Sequence, residues 1–511
     1  MAKVRFKEHK QNQLLLLPPD ISSMIPDNHI VRIVDKIIDE IDISPLFGTY
    51  KGGGTSSYSP RMMLKVITYA YIAGIYTNRL IEKALRENVV FMWISGMSTP
   101  DHGTIHNFKS KRLKKAVDNV FASVIEVLIR SGYVKAENIF VDGTKIEANA
   151  GRYTYVWKKN VDRHDTAIRE KVKKLLIHVD ELQKKEDAEY GDHNLEELEG
   201  NISTDQIEKV IDDINQQLSG KPVSREIRAG ITKLKREYVP KLKKYENQKG
   251  MLTNRNSCSK TDPDATFFRL KEDHLGTSQL KPAYNIQIAT ENQYILGYGV
   301  YQKAADTSVL IPFLERVKTQ LKALPQNIIA DAGYGSEENY DYIAANHLGN
   351  YVKYNMFDSE SKGEYQKKIF LSDHFEYDQE NDQYKCPSGQ ILDFFGIKKL
   401  QTDNGYKSER RVYKSRSCQP CPFRNSCVKG EKDRKIEVSQ NLLSFKNTVR
   451  HNLMSEKGIK LRKQRGVDVE SVFGQIKHNH QFRRFYSRGI KNVNTEWGLI
   501  SIAHNLRKMA N

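Results

Sequence analysis

A chain of 511 residues is too long for one ordinary hydrophobic core, so two to four domains are expected, and its 39% apolar share can fill them. No window approaches the run of about 18 apolar residues that a membrane-spanning helix needs. In the opening stretch MAKVRFKEHKQNQLLLLPPD two prolines end the apolar run short of a signal-peptide core, so a cytoplasmic protein with no membrane partner is expected. A formal charge of +18 describes a surface drawn to polyanions, nucleic acid first, although charge alone supplies neither sequence specificity nor catalysis.

Residues 1–135 are expected to form an all-helical domain. Ile30, Val31, Val34, Ile37, Ile38 and Ile41 keep a helical period. The loop KGGGTSSYSP leads into RMMLKVITYAYIAG, followed by TNRLIEKALREN and TPDHGTIHNFKSKRL, two short helical patterns with Thr77 and Asp101 as N-caps. This order suits a helix-turn-helix presenting a basic second helix to DNA; a helical bundle with a solvated Lys/Arg face fits the same residues.

A core is expected over 136–157 and 251–358. NIFVDGTKI is a short apolar strand that ends at Asp142. Residues 159–250 then interrupt it as a helical insertion. There Ile168, Val172, Leu175, Val179 and Leu182 step by three and four, as do Ile207, Ile211, Ile214 and Leu218, and again Ile227, Ile231, Leu234 and Tyr238. STDQ at 203–206 has the capping-box form and Gly220 is a natural stop. AYNIQIAT and YILGYGV are β-rich runs joined by ENQ, an antiparallel pair. Asp306, in AADTS, is placed as the N-cap of a helix from Thr307 to Ala323. NIIADAGYG is a buried strand ending in Asp331, SEENYDYIAANH a helix capped by Ser336, and YVKYN a further strand. A Cys-containing insertion occupies 359–445, and 446–511 hold the helix that carries Glu470 together with a basic segment.

Five cysteines, an odd number in a large chain, argue against a disulfide framework. Cys386, Cys418, Cys421 and Cys427 fall within 42 residues. In CQPC two turn residues separate the thiols, as in half of a zinc knuckle, and Cys386 and Cys427 can complete four ligands for Zn²⁺. Reduced cysteines near turns are the plainer reading, and Cys258 is left without a role.

Asp142 and Asp331 end strands, while Glu470 rides a helix in a region, Arg450 to Lys491, with eleven Lys or Arg against three acids. A mixed sheet with helices packed on it sets two strand-end carboxylates at one edge, where a helix can bring the third. Such an oxygen cluster suits Mg²⁺ or Mn²⁺. Two such ions about 3.5–4 Å apart stabilise the attacking and leaving oxygens of an in-line phosphoryl displacement. Singly, a strand-end Asp reads as a turn residue and a helical Glu as a solvated one; their joint order carries the catalytic reading.

The chain resembles the DDE-type transposases of bacterial insertion sequences, in the branch with a cysteine-containing segment between the second Asp and the Glu. The matching stretches are YSPRMMLKVITYAYIAG, PDHGTIHNF, VDGTKIEANA, TDPDA at 261–265, YNIQIAT, ADAGYGSEEN, CQPCPFRNSC and VESVFGQIKHNHQFRRFYSRG, most of the chain apart from the helical insertion. The resemblance implies an α/β fold: a ribonuclease H-like mixed-sheet catalytic core, an N-terminal all-helical domain and a helical insertion. It matches Asp142, Asp331 and Glu470 to the metal-binding DDE triad. It implies that activated water nicks a transposon end and that the freed 3′-hydroxyl attacks target DNA. The partner is then double-stranded DNA, as terminal inverted repeats and target, and a homodimer is expected because two ends must be paired.

Many relatives carry the signature Tyr-x2-Arg-x3-Glu-x6-Lys. Lys477 fits its last position, returning to nearly the same helix face roughly 10.5 Å along the axis, where it can hold a phosphate. The Arg position falls on Gly466 and the Tyr position on Arg462, which leaves open whether Arg465 or Arg462 stands in for the arginine. Arg483, Arg484 and Arg488, interleaved with Phe482, Phe485 and Tyr486, would extend a DNA-contacting track, with core packing the alternative for Phe473 and Phe482. Two other functions stay open: a ribonuclease H-like nuclease that cuts without joining, and a transposase-derived, sequence-specific DNA-binding protein without catalysis.

Overall fold

The computed structural model describes residues 20–50, 57–186, 204–217, 225–270, 279–360, 362–428 and 430–510. The cap at Ser203 and the stop at Gly220 lie outside them, as do the side chains of Val179, Leu182, Ile214 and Leu218. The chain forms two compact units, one comprising residues up to Thr144, Asn285–Ser487 and Lys491 onward, the other Lys145–Tyr284 with Arg488–Ile490.

The first unit opens with helices. Ile30–Glu40 buries Val31, Val34, Ile37 and Ile38, the face its sequence period marks, against the helix Pro60–Ile72. Ser59 caps that second helix and Pro60 opens it, the position where proline's missing N–H costs nothing. Thr77 and Asp101 cap Asn78–Glu87 and His102–Asn107 through the N–H groups of Leu80 and Thr104. A further helix, Val89–Ile94, stands between them. The basic stretch that follows runs through a π turn, Phe108–Arg112, and a 3-10 turn, Leu113–Lys115, and divides its charges. Lys109 turns inward to donate to Tyr71 Oη at 2.8 Å, and Arg112 lies over the Tyr50 ring, while Lys111, Lys114 and Lys115 face solvent.

Among the described residues the central sheet has six strands: β1 (Asn138–Glu147), β2 (Leu280–Glu291), β3 (Tyr294–Tyr301), β4 (Asn327–Ala330) and β5 (Gly349–Val352), in the order β3-β2-β1-β4-β5, and a short strand, Thr266–Arg269, antiparallel to the start of β2. The β2–β3 pair is antiparallel as expected, and β1, β4 and β5 run parallel. The unit boundary falls within β1 and β2. The entrance to β1 is fixed by a buried carboxylate, since Glu291 accepts from the backbone N–H groups of Lys135, Ala136, Glu137 and Asn138. At the outer strand, Asn505 on the helix Ile490–Met509 accepts from Ile295 N and donates to Ile295 O, both at 2.8 Å. Helix and strand approach so closely that a Cβ on Gly498 would lie 2.5 Å from Tyr298 Oη.

The Cys-containing insertion is built on a second sheet, an antiparallel meander of β6 (Glu376–Asp378), β7 (Gln383–Lys385), β8 (Ile391–Gln401), β9 (Lys407–Ser415) and β10 (Lys435–Val438). Beyond it, Ser439 caps the helix Gln440–Met454 and Ser455 caps Glu456–Arg465. The helix then continues through a π turn, Gly466–Glu470, an α turn, Ser471–Gly474, and a second π turn, Gln475–Asn479.

The second unit holds the helical insertion. Lys158–Glu186, Thr204–Gln217 and Arg225–Lys233 are joined by a further helix, Val239–Leu252, that continues the third through a π turn. Their shared core includes Val172, Ile207, Ile211, Ile227, Ile231, Leu234 and Tyr238, as the periodicity predicts. Cys258 is fully buried beside Val156, Val161 and Leu252, a small apolar side chain in a small core. In the TDPDA stretch Asp262 accepts from Tyr284 Oη and Gly489 N, and Asp264 from Ile490 N, so these carboxylates anchor backbone and ring.

Candidate active site

Strand register sets the site. Val141 of β1 is paired with Ala330 of β4, so Asp142 and Asp331 follow at the same level on neighbouring parallel strands. Parallel neighbours lie about 4.8 Å apart. Each carboxylate is held locally: Asp142 accepts from Gly143 N at 2.7 Å, and Asp331 caps a 3-10 turn through Gly333 N at 2.9 Å. Burial pushes the Asp142 carboxyl up to about 6; the Gly143 N–H opposes this, Asp331 adds to it, Arg465 opposes it and Asp306 adds to it.

Behind the two aspartates lies a polar network whose sequence signal is the pair Asn285 and Gln287 in YNIQI, two amides on one face of an otherwise apolar strand. Both are fully buried. Gln287 Nε2 donates to Asn285 Oδ1 (3.0 Å) and Asp306 Oδ1 (3.1 Å), Asn285 Nδ2 donates to Asp306 Oδ1 (2.9 Å), and Tyr334 Oη donates to Gln287 Oε1. Asp306 is therefore not the expected helix cap. The helix Leu310–Leu321 is preceded by Val309 with no side-chain cap, and the Asp306 carboxylate is held by the two β2 amides instead. Burial, then the charges of Asp142, Asp306 and Asp331, keep Tyr334 neutral far beyond physiological pH. Gly143 makes the arrangement possible, because a Cβ there would stand 2.2 Å from Gln287 Nε2.

Glu470 approaches from the interrupted helix, exposed, with its carboxylate linked to Asp142 through one guanidinium. Arg465 Nη1 lies 3.4 Å from Asp142 Oδ2 and Nη2 lies 3.5 Å from Glu470 Oε1. The π turn Gly466–Glu470 sets Arg465 and Glu470, five residues apart, beside each other. An extra residue per turn brings i and i+5 onto one face, where an α-helix would bring i and i+4. Arg462 takes another path, its guanidinium 5.2 Å from the centre of the Phe357 ring.

Lys477, on the second π turn, is 7% exposed and donates to Thr144 Oγ1 at 2.6 Å, two residues beyond Asp142 on β1. It therefore lines the site wall. Arg483, Arg484 and Arg488 are exposed, but the aromatics between them are not a continuous outward track: Phe482 and Phe485 are buried against Trp497, and only Tyr486 is exposed, stacked on Tyr76. Phe473 is also buried, as expected.

Among the described residues no group of three or more His, Cys, Asp or Glu is positioned to hold a metal ion as it stands. The donor chemistry nonetheless fits a hard divalent cation: the ligands on offer are carboxylate oxygens, and a guanidinium already spans two of them, marking where positive charge is called for.

A mixed-sheet α/β core with aspartates at one level of two parallel strands, a helix-borne glutamate and a helical N-terminal region is consistent with the fold of a DDE transposase. Residues 385–510 match the family model described as Transposase DDE domain, and residues 19–111 match the one described as Transposase domain (DUF772). Together the two matches indicate an insertion-sequence DDE transposase. No curated protein and no solved structure matches the chain. No helix among the described residues is long and apolar enough to cross a membrane.

Proposed function

We infer that the protein nicks DNA at transposon ends and joins the freed 3′-hydroxyl to target DNA, with Asp142, Asp331 and Glu470 as the catalytic carboxylates. The observation that carries this reading is the β1–β4 register, whose last pair, Val141 with Ala330, is followed by Asp142 within β1 and Asp331 just past β4, at one level, with Glu470 tied to Asp142 through Arg465. The three carboxylates would hold Mg²⁺ or Mn²⁺, which when bound supplies charge stabilisation for the attacking and leaving oxygens. The chain's own residues prepare that place. Asn285, Gln287 and Tyr334 fix Asp306 behind Asp142, and Lys477 and Arg465 bring positive charge to the wall where a scissile phosphate would lie. Arg462, Arg483, Arg484 and Arg488, on a chain of net charge +18, serve the flanking backbone of terminal-repeat and target duplexes. A homodimer would pair the two ends.

The test is a labelled transposon-end duplex incubated with the protein and Mg²⁺, with end binding followed in parallel. The expected result is nicking and strand-transfer product from the wild type and neither from Glu470→Gln or Asp331→Asn, both still binding DNA. Nicks without joined product would make it a nuclease. Binding without nicks in the wild type would make it a DNA-binding protein only, and undiminished nicking by Glu470→Gln would remove Glu470 from the site.

A further inference from the structure

The geometry points to a second metal centre, a structural Zn²⁺ site whose four ligands are Cys386, Cys418, Cys421 and Cys427. This inference is independent of the catalytic reading. All four cysteines are free thiols and line one cavity of about 20 Å³. That is room for a single atom or water, since one water needs about 10–15 Å³ by the same measure. Three separate turns deliver the sulfurs. Cys386 opens a turn closed by Gly389 N donating to its carbonyl at 2.8 Å, with Gly389 at φ +81°. Cys418 and Cys421 bracket a turn in which Cys421 N donates to Cys418 O at 3.3 Å, and Cys427 ends the single helical turn Arg424–Cys427.

The surroundings suit thiolates. Arg434 N donates to Cys418 Sγ at 3.2 Å, Ser388 Oγ lies 3.3 Å from Cys421 Sγ, and Arg424 and Arg434 line the same cavity. One backbone N–H and one hydroxyl at the sulfurs, with two nearby guanidinium groups, offset the negative charge that four thiolates leave around one Zn²⁺. As placed, the sulfurs are not drawn to coordinating distance. What the structure supplies is the convergence of all four cysteines on one small cavity; zinc binding requires their sulfurs to close on the ion.

The meander also needs a staple. Its own core is five buried side chains, Phe375, Tyr384, Leu392, Tyr413 and Ile436, with Cys386 packed against them. Between Ser415 and Lys435 the only regular element among the described residues is the single helical turn that ends in Cys427. A core this small gains most from a cross-link or metal.

Metal content of the full chain, purified without chelator from zinc-supplemented medium, decides the matter. The expected result is one zinc per chain, lost in Cys421→Ser, retained in Cys258→Ser and in Cys421→His, with Co²⁺ substitution giving the absorption of a tetrahedral thiolate site. Wild-type protein without zinc, protein holding iron instead, disulfides among the four cysteines, or zinc retained in Cys421→Ser would each overturn the proposal. Because the wild type alone gives the first reading, poor folding of a variant cannot obscure it.

Discussion

Asp142→Asn should make the metal-free protein more stable while abolishing nicking. The wild-type carboxyl is moved from the ordinary 3.8 to about 6 with its side chain 21% exposed. The folded state thus holds this proton more tightly than the unfolded chain does. Stability attached to it is fully present below the unfolded value and is lost as pH rises through the window from about 4 to 6. A gap of roughly two units corresponds to about 3 kcal/mol of destabilisation at pH 7.5 and about half of that at pH 5. Asparagine keeps an oxygen for the Gly143 N–H but carries no charge, so the substitution recovers up to that amount. In EDTA, the cooperative transition of the first unit should shift upward by several degrees at pH 7.5, taking roughly 2 °C per kcal/mol for a unit of this size. The gain should shrink at pH 5. Adding Mg²⁺ should reverse the order, because only the wild type then gains from binding. Equal melting temperatures in EDTA at both pH values, or a gain larger at pH 5, would refute the claim that burial strains this carboxylate.

Gly143→Ala should cost about 2–3 kcal/mol, because the new Cβ displaces the amide of a fully buried Gln287 from its hydrogen bonds to Asn285, Asp306 and Tyr334; a double-mutant cycle with Gln287→Ala, read by chemical denaturation, should return much of the loss. Arg465→Ala should leave stability within about 1 kcal/mol, since its contacts of 3.4 and 3.5 Å are loose, yet it should move the Asp142 titration upward, which carboxyl-edited NMR can follow. Glu291→Ala should cost about 3 kcal/mol or more by orphaning backbone N–H groups at the entrance to β1, visible as faster amide exchange at Lys135 and Ala136.

The two aspartate-bearing strands were legible because each holds a short apolar run that leads into an aspartate, although β1 does not stop at Asp142 as expected but runs on to Glu147; the helical insertion was legible because its Ile and Leu spacing marks one buried face per helix. Other features depend on partners distant in sequence. AADTS looks like a helix start, and nothing local says that Asn285 and Gln287 will claim the Asp306 carboxylate. The π turn at Gly466–Glu470 adds one residue to a helix without a local signature, so the sequence does not say that Arg465, five residues before Glu470, will reach its carboxylate. In the Cys-containing insertion, β8 is mostly exposed on both faces, so its strand alternation carries no apolar signal. Phe485, which reads as a surface aromatic among arginines, is buried by Trp497 on a helix that follows it.

The bond between Asn505 and Ile295 has a consequence for assembly of the chain. β3 is an outer strand, and at Ile295, near its start, it offers an amide and a carbonyl to whatever extended segment arrives first, whereas Tyr298 further along is served by Gln320 and Arg316. In the finished protein a single asparagine takes both. Until the helix that bears it has been made and docked, that strand is open to pairing with another copy of itself. A chain stopped before Asn505 would therefore carry both Asp142 and Asp331 on a sheet with an adhesive rim, and its characteristic failure would be self-association rather than loss of those carboxylates.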